Sequence, residues 1–249
     1  MRFKIVLLGA IASVLSAPAF ANSVLIQNGS WGTNVPNEND MNAVFGNGNY
    51  SEYGFNVNPL TAFSPANHFV FIEGGDGQEA NFQNFLTANQ TTILNWVHNG
   101  GSLLLQEAGW TAGAYAFGPG TIGAAESDLS SCGTLTGAGA AAFTFTATPA
   151  SQCGNYLSHD DITGTGLTDF MMASLGVNVA GAGYGSGYIM FSGLTDSEFH
   201  YSGGGLNQDV IAYTADQGGG TAVTPEPGTL GLLGSGLAGL AGLIRRRLA

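Results

Sequence analysis

The chain has 249 residues, 40 of them Gly, and its 17 acidic residues against five basic ones leave a formal net charge of −12. Arg2 and Lys4 stand at one end and Arg245, Arg246 and Arg247 at the other, so residues 22–223 hold no Lys or Arg and all but one of the acids. Such a field repels nucleic acid and anionic lipid, and no side chain is left to clamp a phosphate, sulfate or carboxylate, so ligands are neutral, cationic or bridged by a metal.

In chain order, Arg2 and Lys4 precede an apolar run from Ile5 to Leu15, and Ala19-Phe20-Ala21 offers the small-x-small pattern that a signal peptidase accepts. Residues 1–21 therefore read as a signal peptide cleaved before Asn22, and 22–223 as an exported acidic domain. Val24-Leu25-Ile26-Gln27 is a short apolar run predicted to be the first strand. The Asn- and Gly-rich segment from Glu38 to Val57 is expected to hold a short helix and a second strand. Asn37-Glu38-Asn39-Asp40 hints at calcium but lacks the spacing of an EF-hand loop.

His68-Phe69-Val70-Phe71-Ile72 is the clearest strand, stopped by Glu73-Gly74-Gly75-Asp76-Gly77. Phe82, Phe85, Leu86, Ile93, Leu94 and Val97 then recur at three and four, predicting a helix closed by Gly100-Gly101, and Ser102 to Gln106 is a strand again. Strand, helix, strand implies a parallel crossover, and the expected fold is a three-layer α/β domain with a mostly parallel, flavodoxin-like sheet. A Gly-rich stretch at about 111–152 reads as an insertion. Cys132 and Cys153 bracket part of it, and in an oxidising compartment they are expected to form a disulfide worth about 3 kcal/mol.

Glu73, Asp76 and Glu107 fall at the carboxyl ends of two strands, where open α/β sheets place ligand sites, and His159, Asp160 and Asp161 are positioned to join them from a later loop. Glu73, Asp76, Asp160 and Asp161 are the candidate ligands of a divalent cation. Glu107, Asp76 and His159 are the candidates for acid–base work on a neutral glycan. The plainer reading makes them solvated turn carboxylates and strand-end caps, with no catalytic residue and no cofactor, calcium being the one candidate. Trp31, Trp110, Tyr115, Tyr184, Tyr188 and Tyr201 offer faces on which a sugar stacks, although core packing accounts for most of them. His68 opens a strand, and His98 ends a helix where a cation is favoured.

At the far end, Thr224-Pro225-Glu226-Pro227 leads into an uncharged apolar run of 17 residues, Gly228 to Ile244, followed by the three arginines. As a helix that run rises about 25 Å, near the lower limit for a bilayer core, and the basic cluster holds its end on the cytoplasmic side. Motif, span and basic stop in this order, over 224–249, resemble a PEP-CTERM sorting signal of Gram-negative exported proteins. The resemblance implies that an exosortase-type transpeptidase recognises Pro225, Glu226 and Pro227 and removes the helix. The protein would then be held briefly in the inner membrane and end at the cell surface or in the extracellular matrix, with exopolysaccharide as the candidate partner.

Further upstream, "HFVFIEGGDGQ", the helix and "ILNWVHNGGSLLLQEAGW" resemble the core of class I glutamine amidotransferase-like domains. "SHDDITGTGLTDF" resembles the His-x-Ile-Thr-x-Gly turn of non-catalytic members, and "GLNQDVIAYTAD" resembles their closing segment. The family's Cys falls within Glu107-Ala108-Gly109, where Glu107 stands, and Phe199-His200-Tyr201-Ser202 carries Ser202 where the family has an acid. The resemblance thus implies the fold without amidotransfer, since no thiol is present for a His to activate. Two functions follow as expectations: a non-enzymatic surface or matrix protein binding exopolysaccharide or calcium, or a repurposed extracellular hydrolase.

Overall fold

Four short, wholly apolar stretches leave the chain little choice but to bury them on both sides, and they form the middle of a ten-stranded sheet. The computed structural model describes residues 22–29, 35–75, 77–109, 115–118, 122–146, 148–195 and 205–218, with the backbone alone at 124–128. The signal segment, Asp76, Trp31, Trp110, residues 199–202 and the whole sorting tail with its apolar span lie outside them. Among the described residues no helix is long and apolar enough to cross a membrane.

The strands β1 (Ser23–Ile26), β2 (Tyr50–Tyr53), β3 (Phe69–Glu73), β4 (Ser102–Gln106) and β10 (Gly187–Ser192) lie in the order β2-β1-β3-β4-β10, every neighbouring pair parallel. Alternation along each strand divides its side chains between two layers. Val70, Ile72, Leu103 and Leu105 meet Phe82, Ile93 and Val97 of α3 (Glu79–His98) on one face. Phe69, Phe71 and Leu104 meet Met41 and Val44 of α1 (Pro36–Phe45) and Leu206 and Val210 of α5 (Leu206–Asp216) on the other. Between β2 and β3 lies the one-turn α2 (Pro59–Ala62), capped by the Asn58 side chain accepting from Leu60 N. The first strand, the helix and strand between 38 and 57, and the strand–helix–strand around α3 are as expected from sequence.

The sheet as a whole is not mostly parallel. Beyond β10 the order continues through β9 (Val177–Tyr184), β8 (Thr168–Ala173), β6 (Gly123–Leu135) and β5 (Tyr115–Phe117), with β7 (Ser151–Gly164) paired to β6, and all these pairs are antiparallel. A small helix, α4 (Gly137–Ala142), sits between β6 and β7, with Thr136 Oγ1 accepting from Gly139 N. Ser158 of β7 bridges back to Leu194, just past β10. The pairings β10-β9-β8-β6-β7 and back to 194 therefore form a closed ring. Gly193 allows it: a Cβ there would come within 2.1 Å of Asp160 O.

The "SHDDITG" residues that sequence places in a loop or turn belong to β7, because their backbone pairs with β6 and with Gly193. Residues 37–40, noted from sequence for a hint of calcium, lie within α1. These residues open α1, where Asn37 Nδ2 donates to Gln27 Oε1 at 3.0 Å and Asp40 Oδ1 accepts from Gln208 Nε2 at 2.9 Å, tying α1 to β1 and α5. Cys132 and Cys153 are bonded and stand opposite each other in the β6–β7 register, Cα to Cα 4.1 Å.

Candidate functional site

Because β3 and β4 pair Glu73 with Gln106, their carboxyl ends finish level, with Glu73 the last residue of β3 and Glu107 the first residue past β4. Gly74 N donates to Gln106 O, Glu107 N to Ser192 O, and the Glu73 carboxylate takes the N–H of Gly75, so the turn into α3 is bonded to the strand ends. Glu79 then opens α3, and one turn later Gln83 Nε2 donates to Glu107 Oε1 at 3.1 Å. From the other side β7 runs across these ends. Asp160 Oδ2 accepts from Gly109 N at 3.3 Å, and His159 Nδ1 lies 3.1 Å from Ala108 O. A carbonyl oxygen only accepts, so His159 carries its proton on Nδ1.

Four carboxyl groups thus gather in one place, and they are not solvated. Glu73, Glu107 and Asp160 are at most 1% exposed and Glu79 is 6% exposed. Burial is the largest influence on Glu107, which is pushed up to about 8. The Gln83 hydrogen bond opposes this, while Asp160, Glu79 and Glu73 add to it in smaller measure. Asp160 is raised by burial to about 7, lowered a little by the Gly109 N–H and raised again by Glu79 and Asp161. Tyr115 closes the group. Its ring packs edge-on against Phe82 at 5.1 Å, its hydroxyl has no hydrogen-bond partner among the described residues, and burial with the charges of Glu107 and Asp160 lifts it well above the usual phenol range. With no Lys or Arg in the body, protons are the counter-charges available to this cluster.

Glu73 and Glu107 do meet at neighbouring strand ends, and Asp160 joins them, though from a strand rather than a loop. Asp161 turns elsewhere and packs over Gly176 between β8 and β9. His159 faces Ala108 O and the Tyr156 ring, 5.9 Å away. Glu79, Gln83 and Tyr115 were missed as members. The i, i+4 spacing of Glu79 and Gln83 at the start of a helix that follows β3 was the available signal. Among the described residues no three of His, Cys, Asp and Glu are placed so that they could hold a metal ion. Of the aromatics considered for sugar stacking, Tyr115 is buried in the acid cluster, while Tyr184 and Tyr188 are half-buried. Chemically, the cluster holds two carboxyl groups, Glu107 and Asp160, that burial favours in their protonated form, with no free thiol among the described residues.

No curated protein matches the chain. Among solved structures, a β-galactosidase from Bacillus circulans sp. alkalophilus aligns over 82% of this chain and 32% of its own, with 11% identity and a TM-score of 0.45. A Thermoplasma acidophilum protein described as part of a GMP synthase aligns over 79% of this chain and 95% of its own, with 8% identity and a TM-score of 0.49. A β-galactosidase from Rahnella sp. R3 aligns over 79% and 30%, with 11% identity and a TM-score of 0.41. This chain therefore spans about a third of the β-galactosidases it aligns with. The tail gives a sharper result: residues 223–247 match the PEP-CTERM protein-sorting motif, which supports an exported, exosortase-processed surface protein held transiently in the membrane.

Proposed function

We propose that the protein is a non-enzymatic component of the cell surface or extracellular matrix, exported as a precursor and released by removal of its tail, whose body associates with exopolysaccharide. The motif at 223–247 carries this reading. The body is an amidotransferase-like α/β domain in this reading, supported by the order β3, Gly74-Gly75, α3, β4 and by the position of Glu107 where that family has its nucleophile. A carboxyl group in place of a thiol forms no acyl intermediate of that kind. The experiment is mass spectrometry of the exported protein from cells with and without the transpeptidase. Loss of the segment after the Pro-Glu-Pro motif in the first and its retention in the second and in Glu226→Ala are expected. A released protein that keeps its tail overturns the reading.

A second reading has one observation in its favour. Glu107 and Asp160 keep their protons close to neutral pH, the state a general acid needs, so a repurposed hydrolase would use Glu107 first, with Asp76 and His159 as its sequence-derived companions. Turnover of a neutral glycan that disappears in Glu107→Gln would support it over the first.

A further inference from the structure

At the amino ends of β3 and β4, away from the acids, the described surface opens into a cleft of about 400 Å³. Its frame is fixed by internal bonds. Trp96 Nε1 donates to Ser64 O and Asn67 O, both at 3.2 Å, and Asn67 Nδ2 donates to Thr61 O and Ala62 O at 3.0 and 2.8 Å. Phe63 packs edge-on against Trp96 at 5.4 Å, and Gly101 makes room for the indole, since a Cβ there would come within 2.4 Å of it. The side chains of His68, Thr92 and Asn95 line the same cleft, yet none of them makes a hydrogen bond to a described residue. Leu60, 70% exposed, forms an apolar rim. Among the described residues no Asp or Glu lines the cleft, although acids are the only charged residues in the body.

We propose that this cleft binds a neutral polyhydroxyl ligand, a short stretch of an uncharged glycan. An imidazole, a hydroxyl and a carboxamide held on a rigid frame supply both donors and acceptors, as neighbouring sugar hydroxyls require. A cation finds no carboxylate here and an anion finds no Arg or Lys, so charge complementarity selects an uncharged partner. Leu60 gives the C–H face of a sugar ring an apolar contact. The volume lies within the roughly 300–1,000 Å³ of small-ligand sites. The choice of a glycan among polyols rests on the surface-protein reading.

The test uses the full-length chain in a zwitterionic, sugar-free detergent, titrated calorimetrically with neutral oligosaccharides cut from the surface polysaccharide of the cells that make it. The acidic fraction serves as a control. Saturable binding of the neutral fraction is expected, at least tenfold weaker in Asn95→Ala and in Thr92→Ala, with circular dichroism unchanged. No saturable binding, preference for the acidic fraction, or binding that survives both substitutions overturns the proposal. Tail removal is read separately by mass, so failure of the sorting reading and failure of the cleft are distinguishable.

Discussion

From β2 to β10 each strand lies beside a parallel neighbour, and every residue of β1, β3 and β4 is buried; from β10 to β5 neighbours are antiparallel, and β7 is exposed at both ends of its 14 residues and buried only in its middle, from Leu157 to Asp160 and at Gln152 and Ile162. The first half is built from segments whose own composition demands burial. The second is built from Gly-, Ala-, Ser- and Thr-rich segments whose composition makes no such demand and which become strands through pairing, in the hairpins β5–β6, β8–β9 and β9–β10 and, over longer separations, through β6–β7, β6–β8, a disulfide and the bridge to Leu194. The difference separates strands encoded by their own composition from strands encoded by their pairing within one sheet.

The sharpest way to break that comparison is to damage the parallel half and watch the other. Phe71, 1% exposed, packs in the layer that also contains Met190, Leu157 and Met171, so the two halves share a core. Phe71→Ala is expected to cost about 4 kcal/mol in urea unfolding, with one transition for the whole body. Two separated transitions would show instead that the halves fold independently. Replacing both Cys132 and Cys153 with Ser is expected to cost about 3 kcal/mol, with hydrogen-exchange protection falling in β6 and β7 before β3 and β4. Equal loss in both halves would contradict the view that the disulfide serves the antiparallel half.

A pH-dependent effect is expected at the seam, where Asp160 of β7 meets the ends of β3 and β4. Glu107 and Asp160 are held above their ordinary values, at about 8 and about 7, so across the interval below them the folded chain binds more protons than the unfolded one. Their contribution is therefore complete in acid and is lost as pH rises through those values. Unfolding free energy should fall between pH 5 and pH 9 from this source. Glu107→Gln, which cannot ionise, should flatten that slope and be the more stable protein at pH 9. A slope unchanged by the substitution would place the proton linkage elsewhere.

The strand at Val24 and the strand, helix and strand from His68 to Gln106 were legible because apolar runs and a three-four spacing are local signals, whereas the Asn- and Gly-rich segment between them offered a helix and a strand without bounds and no sign of α2. The half containing β5 to β9 was not legible, since neither Gly133 nor Thr168 announces its partner, and the polar run at Ser158 to Asp161 resembles a loop until its backbone is paired. The meeting of Glu73 with Glu107 followed from two neighbouring strand ends. Their burial did not, because the lid over them is β7, and Asp160 and Tyr115 arrive from segments with no sequence relation to β3. Solvated carboxylates were the natural expectation for acids on Gly-rich turns. The actual environment depends on a strand about 50 residues away, as the contact between Gly109 and Asp160 shows.

The path through the sheet begins at β2 and ends at β5, which are four and three residues long. β2 reads Tyr-Ser-Glu-Tyr, with Ser51 and Glu52 exposed. An edge strand offers its unpaired backbone to any other chain, and short, charged edges are poor templates for such growth. Edges this short and, at β2, charged leave little main chain on which a second copy could extend the sheet.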